Sequence, residues 1–147
     1  MSIEENAVQR DVLDYFNKGI ACKENISLTA CRAYRINNYG MKGKKSTLPC
    51  GFSDILVIMS IKGFATVLFI EVKAPKKECR NIDQLAFIEG MKALGAGALW
   101  VNSLDMLRGY LSKHIKKFAS HAIKEFLPID TINSQTPSYT GNYMELL

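Results

Sequence analysis

Two apolar runs separated by Lys62-Gly63 constrain the fold of this chain more than any other feature. The first run covers residues 55–61, the second covers residues 65–70, and neither contains a charged side chain. Continuous apolar runs of this length are typical of strands buried on both faces. A two-residue turn that contains glycine joins antiparallel strands in a tight hairpin. The sequence therefore predicts a buried β-hairpin.

The same hairpin brings two carboxylates to its open end. Asp54 precedes the first strand and Glu71 ends the second, so a two-residue turn makes them facing residues. Like charges that face each other across a ladder repel, and a divalent cation such as Mg²⁺ removes the repulsion by binding carboxylate oxygens. A loop of odd length would instead shift the register by one residue and separate the pair. The spacing favours a metal site at Asp54 and Glu71, with the carbonyl of Val72 within reach.

A lysine accompanies this pair. Residues i and i+2 of a strand point to the same face, so Lys73 projects beside Glu71. An ammonium group there could position or deprotonate a water molecule, or stabilise the charge that develops on a phosphate. Taken alone, Glu71 and Lys73 are better explained as a surface ion pair at a strand end, because E-x-K occurs often by chance. The polar residue Gln84 follows at a short interval, on a predicted helix.

The remaining elements predict an α/β fold in which helices flank a mixed β-sheet, in the order α, β, β, β, α, β and a C-terminal helix. The predicted elements are a helix from Ser2, with Glu5 as its capping-box partner, to Gly19; a mixed connection over residues 20–29; a strand from Cys31 to Asn37; a loop from Asn38 to Ser53; the hairpin from Asp54 to Lys73; a helix from Asn81 to Leu94; a strand from Ala98 to Val101; and a third helix from Ser103 or Asp105 to about Phe126.

Length and composition favour one globular domain with a basic character. The chain has 147 residues and a formal net charge of +5, which suits a single domain over residues 1–127 followed by a tail over residues 128–147. A basic balance is a weak indication of a polyanionic partner. The N-terminus lacks a secretory pattern, no apolar run is long enough to span a membrane, and the cysteines do not pair in C-x-x-C motifs. We expect a protein that is not secreted and acts in the cytoplasm, the nucleus or a viral replication compartment.

Several short motifs in a fixed order resemble the PD-(D/E)XK nuclease superfamily, and within it the VRR-NUC family. The resemblance covers roughly residues 4–105. Ser53 stands where the family's G-x-P-D motif has proline, and the aspartate is retained. The segments that carry the resemblance are Glu5-Asn6-Ala7-Val8-Gln9, Arg35-Ile36-Asn37-Asn38-Tyr39-Gly40, Gly51-Phe52-Ser53-Asp54, Glu71-Val72-Lys73-Ala74-Pro75, Arg80-Asn81-Ile82-Asp83-Gln84 and Gly95-Ala96-Gly97-Ala98.

The resemblance implies a restriction-endonuclease-like core and assigns roles by position. Asp54 and Glu71 would bind Mg²⁺ or Mn²⁺ together with the Val72 carbonyl, and Lys73 would be the catalytic lysine. Gln84 would orient the lysine, water or phosphate, although an exposed helix position is the alternative. Glu5 would add an outer carboxylate or one for a second metal, unless it only caps the helix. Glu4 replaces Glu5 if the helix register differs by one.

Expected substrate contacts come from basic residues near the site, namely Lys42, Lys44, Lys45, Lys76, Lys77 and Arg80. They would meet phosphates, or else they are solvated loop charges. The sequence contains no element of a kind that reads bases, which favours a structure-selective or non-specific nuclease over a sequence-specific one. We expect a structure-selective DNA endonuclease. Small stand-alone members of the family resemble Holliday-junction resolvases, which implies branched DNA and a homodimer. The alternatives are a nicking, flap or restriction-type nuclease, or a catalytically idle nucleic-acid-binding domain.

Overall fold

The structure is a computed structural model that describes residues 1–36 and 48–116. Within these ranges the chain alternates helices and strands in an order close to the predicted one. The elements are α1 (Ile3–Asn17), α2 (Ile20–Glu24), β1 (Leu28–Arg35), β2 (Ile55–Ile61), β3 (Phe64–Val72), α3 (Ile82–Ala93), β4 (Gly97–Val101) and a helix α4 over residues 104–116.

The four strands form one sheet in the order β1-β2-β3-β4. The first two pairings are antiparallel, and β3 pairs with β4 in parallel. Helix α3 makes the connection between the two parallel strands, since parallel neighbours need a crossover rather than a hairpin. The predicted α/β class, with a mixed sheet and flanking helices, is confirmed for the described residues.

The β2–β3 hairpin has the predicted turn and the predicted register. Ile61 pairs with Phe64, and the ladder continues to the pair Ile55–Ile70. Lys62 and Gly63 adopt φ angles of 50° and 86°, which is the left-handed conformation that a two-residue turn of this kind requires at both positions. Because the loop has two residues, the register of the paired strands stays constant from the turn to the open end of the hairpin.

One face of the sheet carries the main hydrophobic core. Helices α1 and α4 cover this face, and their apolar side chains pack against alternate residues of the strands. The fully buried members with no measurable exposure include Val12, Ile55, Val57, Leu68, Ile70, Leu107 and Leu111.

The opposite face is covered only in part, which corrects the prediction of a hairpin buried on both sides. Three rings hold α3 to the sheet here, with centroids 5.3 Å apart for Phe69 and Phe87 and 4.7 Å apart for Phe52 and Phe87. Away from α3, Ile58 and Val67 are 45% and 36% exposed. The apolar run therefore continues past the area that the single helix α3 covers.

Two local predictions at the N-terminal end need correction. Helix α2 was predicted as a mixed connection, yet Gly19, with φ of 79°, turns the chain directly into it and buries Ala21. Strand β1 begins at Leu28 rather than at Cys31, because Leu28 pairs with Ile61 at the far end of β2. The capping box between Ser2 and Glu5 is confirmed.

A polar cluster fastens α4 to the N-terminal helices. The hydroxyl of Tyr15 donates a hydrogen bond of 2.6 Å to Glu24. The guanidinium of Arg108 donates two bonds to the same carboxylate, at 2.9 and 3.2 Å, and lies 5.4 Å from the centroid of the Tyr15 ring. Burial raises the pKa of Tyr15 to about 12, and the bond to Glu24 acts in the same direction.

Some predicted features lie outside the described residues. They are Asn37, the loop over residues 38–47, the continuation of the third helix to Phe126 and the tail after residue 127. Strand β1 itself ends at Arg35, before the predicted end at Asn37. Among the helices that the structure describes, none has the length and apolar character needed to cross a membrane.

Candidate active site

The candidate site forms where β2 begins, β3 ends and α3 begins. The ladder of the hairpin ends at Ile55–Ile70, so Asp54 and Glu71 are the next residues on the two strands. Oδ2 of Asp54 accepts a hydrogen bond of 2.8 Å from the backbone N–H of Val72. This bond continues the hairpin past its last ladder pair and holds the Asp54 carboxylate beside the end of β3.

Glu71, Lys73 and Gln84 form a closed triangle of hydrogen bonds. The Lys73 ammonium donates to Oε1 of Glu71 at 2.9 Å and to Oε1 of Gln84 at 2.8 Å. The Gln84 amide nitrogen donates to Oε1 of Glu71 in turn. Gln84 is half-buried and belongs to this cluster, which decides against the alternative of an exposed helix position. Strand β3 supplies Glu71, the residue directly after the strand supplies Lys73, and α3 supplies Gln84.

Glu71 is a buried carboxylate with one unsatisfied oxygen. Its side chain is only 2% exposed, and Oε2 has no hydrogen-bond partner among the described residues. A buried polar group without a partner costs free energy, so the cluster leaves one strong acceptor unused. Ser53 Oγ is the other buried side-chain atom of this kind in the described part of the chain.

The electrostatics of the site reflect two carboxylates held close together. Burial raises the pKa of Glu71 to about 7. The charge of Asp54 and the contact between the two carboxyl groups raise it further, while Lys73 opposes the shift. Burial also raises the pKa of Asp54. For Lys73, burial lowers the pKa, but the bond and the charge of Glu71 outweigh it, and the net pKa is raised. Lys73 is therefore an ammonium group at neutral pH.

Two backbone features set the position of Gln84. The side chain of Asn81 caps α3 by accepting bonds from the N–H groups of Asp83 and Gln84, at 2.9 and 3.1 Å. Gly51, with φ of 81°, lies so close to the same turn that an added Cβ would be 2.4 Å from the carbonyl oxygen of Asp83. The segment before Asp54 and the start of α3 are thus packed directly against each other.

The residues present fit a divalent cation. Asp54 and Glu71 are two oxygen ligands of the type that Mg²⁺ and Mn²⁺ prefer, and the unpartnered Oε2 of Glu71 is an acceptor that a cation would satisfy. In residues 1–36 and 48–116 no cluster of three or more His, Cys, Asp and Glu side chains could hold a metal. A site here would therefore combine two carboxylates with backbone carbonyl and water oxygens.

Glu5 takes part in the helix cap and also lies near the site. Its Oε2 accepts a bond of 3.0 Å from the N–H of Ser2, which is the capping role. Its charge is also one of the causes that raise the pKa of Asp54. The capping role is confirmed, and the role of Glu5 as an outer or second-metal carboxylate stays a prediction. Glu4 is exposed.

Of the basic residues predicted to contact substrate, Lys76, Lys77 and Arg80 are all exposed. Lys76 has a left-handed backbone with φ of 64°, and Arg80 forms a weak pair of 3.5 Å with Glu78. Neither Lys76 nor Lys77 forms an ion pair with any described residue. Lys42, Lys44 and Lys45 lie outside the described residues.

Sequence reasoning missed Cys79, a buried neighbour of the triangle. Its thiol contacts Oε1 of Gln84 at 3.6 Å, five positions along the chain, and burial raises its pKa. Beside Gln84 a cavity of about 390 Å³ opens between Asn81 and the segment over residues 48–52. Nothing in the sequence marks this cysteine as buried. Its spacing of five residues from Gln84 is the only sequence feature that could have placed it near the triangle.

Comparisons of the chain with models of protein families, with curated proteins and with solved structures return no match. The function is therefore argued from the residues and geometry of the site.

Proposed function

We propose that this chain is a Mg²⁺- or Mn²⁺-dependent DNA endonuclease with a restriction-endonuclease-like core. The observation that carries the proposal is the state of Glu71. Its Oε1 accepts hydrogen bonds from both Lys73 and Gln84. Its buried Oε2 has no hydrogen-bond partner among the described residues. A structural ion pair needs neither a second carboxylate nor an unused acceptor, whereas a metal site needs both. The resemblance of the motifs to PD-(D/E)XK nucleases supports the same reading.

Each residue of the site would have its own role in phosphodiester hydrolysis. A cation held by Asp54, Glu71 and the Val72 carbonyl would supply Lewis acidity and make water a usable nucleophile near neutral pH. Lys73 is positively charged and half-buried, so it is suited to stabilise negative charge on a phosphate rather than to remove a proton. Gln84 holds Glu71 and Lys73 in one orientation, and Glu5 adds negative charge on the Asp54 side.

The substrate we propose is branched DNA, with four-way junctions as the first candidate. Lys76, Lys77 and Arg80 are exposed in the segment that follows Glu71 and Lys73, where they can contact phosphates of either DNA strand. Phosphate contacts position a nucleic acid without reading its sequence. A homodimer would match the two-fold symmetry of a four-way junction.

The test is cleavage of a synthetic four-way junction, a flap, a linear duplex and a single strand of matched sequence, with Mg²⁺ or Mn²⁺ and with a chelator. Lys73→Ala removes the ammonium group of the triangle. Lys18→Ala is the control, since it removes an exposed lysine whose partner is Asp14 on the same helix. We expect metal-dependent cleavage that Lys73→Ala abolishes and Lys18→Ala leaves intact.

The pattern of substrates decides between the candidate activities. Paired cuts in the junction alone indicate a resolvase, and cuts in several substrates indicate a nicking, flap or general structure-selective nuclease. Binding of DNA with no cleavage of any substrate, with or without metal, contradicts the proposal and indicates an idle binding domain.

A further inference from the structure

A second concave site lies beside α3. It is a groove of about 520 Å³ between α3 and α4, with β4 as its floor. Its lining is mainly apolar and aromatic, with charged groups on its walls. The residues that matter for its chemistry are Leu85, Trp100, Met106, Tyr110, Lys113 and His114.

Aromatic rings make the groove a stacking surface. The rings of Tyr110 and His114 are already stacked, with centroids 4.3 Å apart and planes inclined by 30°. The side chain of Trp100 is half-buried on the floor. Leu85 and Met106 are each 37% exposed at the mouth. Apolar and aromatic walls of this kind accept the flat face of a nucleobase, which any base presents.

The groove adjoins the candidate active site through the sheet and through α3. Trp100 is the residue that pairs with Glu71 in the parallel ladder, and neighbouring strands are about 4.8 Å apart. Leu85 follows Gln84 directly on α3. Trp100 and Leu85 of the groove are thus immediate neighbours of Glu71 in the sheet and of Gln84 along the chain.

The charge of the groove favours an anionic ligand. Lys92 and Lys113 lie on opposite walls, and the one carboxylate, Glu89, is already paired with Lys92 at 3.1 Å. Lys113 is exposed and forms no ion pair with a described residue. An ammonium group beside stacking rings is the combination that single-stranded nucleic acid requires, since the lysine meets a phosphate while the base stacks.

We infer that this groove binds an unpaired nucleotide of single-stranded DNA next to the site of cleavage. The inference rests on the proposed nuclease function and adds a feature by which the enzyme would distinguish a flap, a frayed end or an opened branch point from a continuous duplex. In a duplex every base is paired and stacked, so none is available to the groove.

The chain itself contains the probe for this inference, because Trp100 is its single tryptophan. The full-length protein in chelator is titrated with a twelve-nucleotide oligothymidylate and with a duplex of equal length, while tryptophan fluorescence and the anisotropy of labelled DNA are recorded. We expect the single strand to change Trp100 fluorescence in parallel with binding, and the duplex to bind without that change.

Variants separate the groove from general electrostatic attraction. Lys113→Ala is compared with Lys116→Ala, which removes an equally exposed lysine of the same helix outside the groove. We expect roughly a fivefold weaker affinity for the single strand in Lys113→Ala only. Tyr110→Leu keeps the apolar volume and removes the ring, and roughly a tenfold loss is expected. Circular dichroism confirms that each variant is folded.

Three results overturn the inference. The first is a Trp100 fluorescence that changes with protein concentration in the absence of DNA, which assigns the groove to a second copy of the chain. The second is an equal loss of affinity in the two lysine variants. The third is binding of single-stranded DNA that leaves Trp100 fluorescence unchanged. Cleavage of branched DNA with any of these results leaves the proposed function intact. A Trp100 response without cleavage supports the groove and contradicts the proposed function alone.

Discussion

The amide nitrogen of Gln84 donates a hydrogen bond to Oε1 of Glu71, although the two residues lie thirteen positions apart and belong to a helix and a strand. The same glutamate oxygen accepts a bond from Lys73. Gln84 therefore acts on two charged groups at once. Removing it frees both of them to move, and it does so without changing the charge of the site.

Gln84→Met keeps the volume of the side chain and removes its hydrogen bonds. We expect metal-dependent cleavage to fall by about 10- to 100-fold, because a supporting contact that orients a catalytic or ligating group typically has an effect of that size. Affinity for DNA should change little. Single-turnover cleavage and anisotropy binding are the measurements, and Ile82→Ala, 81% exposed on the same turn, is the control. A loss of binding equal to the loss of cleavage would assign Gln84 to substrate contact instead.

The pKa of Glu71 predicts how stability depends on pH in the metal-free protein. Its folded pKa of about 7 is above its ordinary value of 4.5, so between these pH values the native state holds a proton that the unfolded state has lost. The stabilising contribution is complete below about pH 4.5 and disappears as pH rises through 7. We expect unfolding free energy in chelator to decrease by up to about 3 kcal/mol between pH 5 and pH 8.

Glu71→Gln tests the origin of this pH dependence, since the amide does not titrate. The variant should show a flatter profile in urea unfolding at each pH. At pH 8, added Mg²⁺ should raise the stability of the wild type because a ligand that binds only the native state stabilises it. A wild-type profile that is flat from pH 5 to 8 would contradict the assigned pKa.

Asp54→Asn separates stability from activity. The change removes the charge that raises the pKa of Glu71 and keeps an oxygen that can accept the bond from Val72. We expect the metal-free variant to be more stable than the wild type at pH 8, by about 1 kcal/mol, and to lose cleavage. Calorimetry at pH 8 and the junction assay are the measurements. A destabilised variant would show that the Asp54 charge supports the fold.

Gly51→Ala tests the contact between the segment before β2 and the start of α3. Its φ of 81° and the 2.4 Å approach to the Asp83 carbonyl both exclude a Cβ without movement. We expect a loss of about 2 kcal/mol in unfolding free energy and weaker cleavage, because the turn that carries Gln84 must shift. Gly90→Ala is the control within α3. No atom lies within 4 Å of its added Cβ, so it should stabilise the helix by up to about 1 kcal/mol.

Tyr15→Phe tests the cluster that fastens α4. The variant loses the hydrogen bond of 2.6 Å to Glu24 and keeps the ring under Arg108. We expect a loss of about 1 kcal/mol in urea unfolding, while Tyr34→Phe, at a tyrosine that is 48% exposed, should stay within about 0.5 kcal/mol of the wild type. Equal effects of the two changes would indicate that the bond to Glu24 adds nothing to stability.

The hairpin and its paired carboxylates could be predicted because their signals are local. Two apolar runs, a glycine turn and the parity of the register are all contained in residues 54–73. The cluster of Glu24 and Arg108 joins residues 84 positions apart, and no periodic pattern connects them. Helix α2 was missed because five residues give too few positions for a helical period. The partial exposure of Ile58 and Val67 depends on how far α3 reaches, which apolar content does not indicate.

The turn at Lys62-Gly63 is the part of the molecule most distant from Glu71 along the hairpin, yet it controls which side chains meet at the open end. Substitutions in this turn change only its local conformation. A single inserted residue would rotate every following side chain of β3 to the other face, so Asp54 would oppose a valine or an isoleucine in place of Glu71. The number of residues in this turn therefore determines whether Asp54 faces Glu71, and a variant with one added glycine should fold as a sheet while its chemistry is lost.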